Sequence, residues 1–213
     1  MKIKILIPVY NDWRSAFKLV DEINNLLIDP SFEISVIIVN DASNHDRANE
    51  EKTFENIQSI KILNMKKNQG HARCNAFGIR YLSKEEKYDH VILMDGDGED
   101  RPPEIKLLVE KALSNKGTSV VAKRVKRSEG MLFQFLYKIH KIITIVFTGK
   151  NINFGNYSCL TKDDVKILSD KASLWSSYSG SLKKHITKFN SINSTRGLRY
   201  FGPSKMSLFK LLI

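Results

Sequence analysis

The stretch VILMDGDGEDRPPE, Val91 to Glu104, decides how this sequence folds. Val91 to Met94 reads as a buried strand, and Asp95 to Asp100 as a carboxylate-rich loop. Pro102 and Pro103 suit the first turn of a helix that ends near Asn115 to Gly117. Strand, loop and helix in that order form one unit of a mostly parallel α/β sheet, which holds ligands beyond the carboxyl ends of its strands. Asp95 and Asp97, one glycine apart at such an end, repel each other unless a cation lies between them. A hard divalent ion, Mg2+ or Mn2+, suits oxygen ligands and lets substrate phosphates complete its shell. The alternative is a solvated acidic turn. An EF-hand is excluded, because its glycine and terminal glutamate would be misplaced.

The same alternation recurs on either side of this stretch. Ile3 to Val9 is the first strand, and Trp13, Phe17, Val20, Ile23 and Leu27 fall at helical spacing, predicting a helix over Asp12 to Leu27. Phe32 to Val39 is a second strand, ending in Asn40, Asp41, Ala42 and Ser43. A helix over Asp46 to Gln58 and a short strand, Ile60 to Leu63, come next. A loop at Asn68 to Gly70 then leads into a helix to Leu82, and Ser119 to Ala122 closes the series as a strand. Asp41 either accepts hydrogen bonds from a base or ribose or serves as a turn or N-cap residue. Asn68, Gly70 and Gly78 allow close backbone approach before a helix start, which suits a diphosphate.

The bulk properties bound the reading. The 213 residues, 42% hydrophobic and 27% charged, suit one folded domain with a small C-terminal appendage, divided here as 1–195 and a basic motif with a short amphipathic tail over 196–213. The net charge of +11 favours anionic partners, and no acidic residue follows Asp170. Two cysteines without paired spacing read as reduced thiols. The five histidines are scattered and read as structural or surface residues. There is no Walker loop, dinucleotide fingerprint, zinc motif, nucleophile elbow or nucleic-acid-binding motif. No run approaches the roughly 20 apolar residues of a spanning helix. The N-terminus reads directly as strand, without a signal peptide, so a cytoplasmic location is expected.

PVYND near the start, VNDAS, NQGHARCNAFG and DGDGEDRPPE, in this order, resemble the family 2 glycosyltransferases with a GT-A fold. RGLRYFGPSKMSL, Arg196 to Leu208, is similar to the segment after the catalytic core in dolichyl-phosphate mannose synthases and polyprenyl-phosphate glucosyltransferases. The resemblance implies that Pro8, Tyr10, Asp12, Asp41, Asn68 and Gly70 hold the nucleotide sugar, and that Asp95 and Asp97 bind ribose, metal and diphosphate. It places Glu99 beside the sugar, Arg124 and Arg127 in a basic acceptor loop, and Arg196, Arg199, Ser204 and Lys205 on phosphate.

On this reading a UDP- or GDP-sugar donates its sugar, with inversion, to a polyprenyl or dolichyl phosphate. The alternatives are transfer to a sugar hydroxyl in a surface polysaccharide and a catalytically weak nucleotide-sugar-binding subunit. Asn153 and Asn156 stand where relatives often have acids, and asparagine removes no proton. An ionised lipid phosphate needs no strong general base, so this departure favours it. Ala42 stands where glycine is usual. Relatives often carry transmembrane helices after the SK motif. Contact with the cytoplasmic face of an anionic membrane is therefore expected from the basic surface, from Met131 to Phe147 as an interfacial helix, or from a membrane partner; a homo-oligomer is also open. Core packing is the alternative role for 131–147.

Overall fold

The computed structural model describes residues 1–26, 31–45, 53–115, 117–126 and 153–202. Strand β1 (Lys2–Val9) is followed by α1 (Trp13–Asn24), β2 (Glu33–Asn40), β3 (Ile57–Asn64), α2 (His71–Leu82) and β4 (His90–Leu93). Then come α3 (Glu104–Ser114), β5 (Ser119–Lys126), β6 (Phe154–Thr161), α4 (Lys162–Ser169), a 3-10 turn (Ala172–Trp175), α5 (Tyr178–His185) and β7 (Phe189–Thr195). The seven described strands form one sheet in the order β3-β2-β1-β4-β6-β5-β7. It is mostly parallel, with β6 antiparallel to both neighbours.

Strand β1 carries the core because both of its faces are covered. Ile3, Ile5, Ile7 and Val9 share one cluster with Trp13, Ala16, Leu19 and Val20 of α1 and Ile105, Leu108 and Val109 of α3. Leu6 points the other way, into a cluster with Ile79 and Leu82 of α2, Val165 and Leu168 of α4 and Leu182 of α5. The period of two along a strand divides the side chains this way, and double burial explains the unbroken apolar run. On α2, Gly78 permits close packing on β1, since a Cβ there would lie 2.5 Å from Leu6 Cδ1. The C-terminal ends of β1, β2 and β4 consequently open on one edge of the sheet.

Several boundaries differ from the sequence expectations. Helix α1 ends at Asn24, short of Leu27, which lies outside the described residues. The helix expected over 46–58 lies outside them for 46–52, and its end is overturned: Ile57 and Gln58 already belong to β3. Pairing with β2 begins at Ile34 and Ile57, while Asn56 donates from N–H to Asn24 Oδ1 and from Nδ2 to Asn24 O. These bonds fix extended chain where propensity alone favoured helix. Pro102 and Pro103 form the turn just before α3 rather than its first turn; Pro103 is the N-cap residue. Ser119 to Ala122 does not close the sheet, because β5 runs on to Lys126 and two further strands follow. No helix among the described residues is long and apolar enough to cross a membrane. The interfacial helix expected over 131–147 lies outside the described residues.

Candidate active site

At the open edge the chain must turn sharply after each strand, and side chains stitch the turns together. Asn11 and Ala42 both take left-handed backbone, with φ of 51° and 54°. Asn11 accepts at Oδ1 from the N–H groups of Asn44 (3.0 Å) and His45 (3.2 Å), joining the ends of β1 and β2. Asp41, buried, uses both carboxylate oxygens to accept the N–H groups of Gln69 and Gly70, each at 2.8 Å. Asp41 thus sets the loop that starts α2, where Gly70 has a φ of 89°. Asn68 is exposed beside it, Tyr10 is half-buried just past β1, and Pro8 lies within β1 opposite Val39.

The loop after β4 gathers the charges. Asp95 donates its N–H to Asp100 Oδ2 (2.9 Å), and its Oδ1 lies 3.0 Å from His71 Nε2 at the start of α2 and 3.3 Å from Asn156 Nδ2 on β6. The asparagine at 156 therefore donates to Asp95, where an acid would repel it. Asp97 accepts the Glu99 N–H at Oδ1 (3.0 Å) and an Arg199 Nη1 donor at Oδ2. Arg199 Nη2 also reaches Asp12 Oδ2 at 3.1 Å, and Arg196 pairs with Glu99. Arg124 Nη2, on β5, sits 3.8 Å from Asp100 Oδ1. Two charged sets result: Asp95 with His71, Asn156 and Asp100, the last facing Arg124, and Asp97 with Glu99, Arg196, Arg199 and Asp12. Arg127, Ser204 and Lys205 lie outside the described residues.

These contacts set the protonation states. Burial pushes the Asp95 carboxyl up, but the His71 charge and hydrogen bond, with Asn156 and Arg124, overcome it and hold the pKa down at about 2. Burial and the negative charge of Asp95 push Asp100 up to about 8, against the Asp95 N–H and Arg124. Asp97 is raised by burial and by Asp95, with Arg199 and Arg196 opposing. Burial opposes the charge of His71, yet the charge and hydrogen bond of Asp95 raise its pKa. Two sites escaped the sequence reading. His71 follows Gly70 directly at a helix start, and that position was its only available signal. Asp100 stands within the acidic run but gave no sign that it turns inward.

The sequence pattern of glycosyl transferase family 2 fits residues 4–176, a span holding the whole charged loop, Asp41 and His71. The chain belongs to that family. Solved structures with the same GT-A fold include glucosyl-3-phosphoglycerate synthase from Mycobacterium tuberculosis with Mn2+, UDP-glucose and phosphoglyceric acid. It is 13% identical with a TM-score of 0.60, over 99% of this chain and 74% of that one. A Pyrobaculum calidifontis mannosyltransferase with GDP-mannose and Mn2+ is 14% identical with a TM-score of 0.58, over 91% and 54%. TarS of S. aureus is 12% identical with a TM-score of 0.55, and this family 2 chain covers 92% of its own length and 59% of the TarS structure. An uncharacterized protein of Methanocaldococcus jannaschii is 24% identical over 108 residues, 50% of this chain and 44% of that protein. The family 2 chain thus spans less than half of that relative.

The donor set of this family 2 chain suits a hard divalent cation in kind. Asp95 and Asp97 offer only oxygen, and burial together with the charge of Asp95 raises the carboxyl of Asp97, so added positive charge beside them is favourable. Among the described residues no three His, Cys, Asp or Glu side chains converge as a complete cage. Two carboxylates plus substrate phosphates match the way Mg2+ is commonly held.

Proposed function

We propose that this chain moves a sugar, with inversion, from a UDP- or GDP-linked donor to a polyprenyl- or dolichyl-type phosphate at the cytoplasmic face of a membrane. The observation that carries this reading is the convergence of the basic segment on the donor loop: Arg196 and Arg199 meet Glu99, Asp97 and Asp12. Guanidinium groups beside a carboxylate loop suit a reaction between two phosphate-bearing substrates. The Mn2+ complexes of the mannosyltransferase and the phosphoglycerate synthase, with GDP-mannose and UDP-glucose, support a nucleotide-sugar donor and a divalent metal.

Asp95 and Asp97 would hold Mg2+ or Mn2+, which supplies positive charge to the departing diphosphate. His71 fixes Asp95 in its charged form, and Asp41 shapes the Gly70 loop beside the site. Asp41 thereby acts on the nucleotide through the loop it holds. Arg199 and Arg196 orient phosphate oxygens and steady charge on the leaving group. An acceptor phosphate oxygen forms the bond to C1 as the bond from C1 to the diphosphate oxygen breaks and its electron pair leaves with the nucleotide. The acceptor arrives ionised, so no base is required, in keeping with Asn156 where an acid would serve a hydroxyl.

The test is transfer of radiolabel. Purified protein with labelled UDP- and GDP-sugars, Mg2+ or Mn2+ and polyprenyl phosphate should yield a labelled lipid, and Asp97→Ala should abolish it with folding intact. Label passing to a soluble glycan instead would move the acceptor to a hydroxyl. Metal-dependent nucleotide binding without turnover would leave a binding subunit, for a membrane partner or a homo-oligomer.

A further inference from the structure

Residues 196–201 lie as a strap across the tip of the carboxylate loop. The Gly197 N–H donates to Glu99 O (2.8 Å) and the Tyr200 N–H to Asp97 O (2.9 Å), so the backbone is fastened on both sides of Arg199. The close approach depends on Gly197, where a Cβ would lie 2.5 Å from Gly98 O. Beyond the loop, Tyr200 donates its hydroxyl to Glu22 Oε2 at 2.6 Å, and the Arg14 guanidinium stacks 3.8 Å from the Phe201 ring centre. The strap is anchored by its backbone and aromatic rings, which leaves the Arg199 side chain as the part that can change partners.

That side chain holds an oxygen that a metal on Asp97 would take. Asp97 Oδ1 already accepts the Glu99 N–H, and Asp97 Oδ2 holds Arg199. The side chains of Arg199, Asp97 and Asp12 are 20%, 18% and 19% exposed, so water screens the pairing only partly. Arg199 Nε is buried without a hydrogen-bond partner, so one donor of the fork is unused in this seat.

We infer that Arg199 is the resident cation of the carboxylate site, clamping Asp97 to Asp12 until a divalent metal displaces it and so frees its guanidinium for a substrate phosphate. The inference rests on the metal-site reading above and adds an exchange of one cation for another. The pairing competes with the metal, so ligand-free protein binds metal weakly. The displaced guanidinium, tethered by the strap, can turn its whole fork, Nε included, to phosphate oxygens. Metal and phosphate binding are thereby linked through one side chain.

Titration calorimetry with Mg2+ and Mn2+ alone, on the full chain, tests the exchange. Removing the competitor in Arg199→Met should tighten metal binding about tenfold, the equivalent of one partly buried ion pair. Arg101→Met is the control for loss of a positive charge nearby, since Arg101 bonds Thr195 and pairs with Glu104 instead, and it should change affinity by less than about threefold. Equal tightening in both variants, or none in Arg199→Met, overturns the inference while leaving the metal site standing. Absence of metal binding in all three proteins, even with UDP or GDP present, sinks the metal site and the exchange together. A second measurement needs no folded variant: the Arg199 Nε–H resonance of the wild-type chain should move as diamagnetic Mg2+ is added. A resonance unmoved at saturating Mg2+ would also overturn the exchange.

Discussion

His71 Nε2 lies 3.0 Å from Asp95 Oδ1, tying the first residue of α2 to the first carboxylate after β4. The pair raises the pKa of His71 and lowers that of Asp95. A histidine with a raised folded pKa stabilises the protein fully below its unfolded value, about 6.5, and loses that contribution as pH rises through the folded value. A metal on Asp95 competes with the same imidazolium. Metal affinity should therefore climb with pH across the His71 titration, and His71→Gln should flatten the climb. Calorimetry with Mg2+ from pH 6 to pH 8.5 measures both; equal slopes in the two proteins would remove His71 from the site.

Ala42 adopts a φ of 54°, where a side chain costs about 1–2 kcal/mol relative to glycine. The flexibility that glycine adds to the unfolded chain returns part of this. Ala42→Gly should stabilise the fold by about 0.5–1 kcal/mol, read as a higher urea midpoint with unchanged slope. A lower midpoint would show that the methyl makes a contact worth more than the strain.

The ends of β1, β2 and β4 were legible because β-branched runs stop at polar clusters, and Asp95 and Asp97 followed from that placement. Strand β3 was legible only in its middle, since Gln58, Ser59 and Lys61 face solvent along its length and mask its start. Strands β6 and β7 were missed: FGNYSCLT and FNSINST mix polar and small residues without a clear period, and long-range pairing with β4 and β5 makes them strands. The meeting of Arg199 with Asp97 spans 102 positions. Spacing along the chain carries no signal at that range, so the basic motif could be read for its charge and not for its partner.

Asp100 should give the fold a measurable pH slope. Its folded pKa of about 8 lies above the unfolded value of about 4, so the folded state keeps a proton that the unfolded state has lost. Stability falls from this source as pH rises from about 4 through about 8. Asp100→Asn mimics the protonated form and its side-chain oxygen can still accept the Asp95 N–H. The variant should match wild type near pH 5 and exceed it at pH 9 in chemical denaturation. A wild-type slope retained in the variant would assign the loss of stability to another group.

Gly98 joins the two halves of the site in the most demanding way. Its φ of 90° is disfavoured for any residue with a Cβ, and a Cβ there would lie 2.6 Å from Tyr200 Cζ. Gly98→Ala must either strain the DGDGED turn or push the Tyr200 ring off Glu22 and lift the strap. The first outcome costs roughly 1–3 kcal/mol of stability. The second costs less stability but loosens Arg199 from Asp97, because the Tyr200 N–H bond to Asp97 O lies directly beside that pairing. Both outcomes predict slower sugar transfer, and they separate on a double variant. With Tyr200→Ala the clash is gone and only the backbone strain remains, so adding Gly98→Ala to that background should cost less stability than adding it to wild type. Equal costs in the two backgrounds would show that the ring is not what Gly98 accommodates, and that the loop needs its glycine for the turn alone.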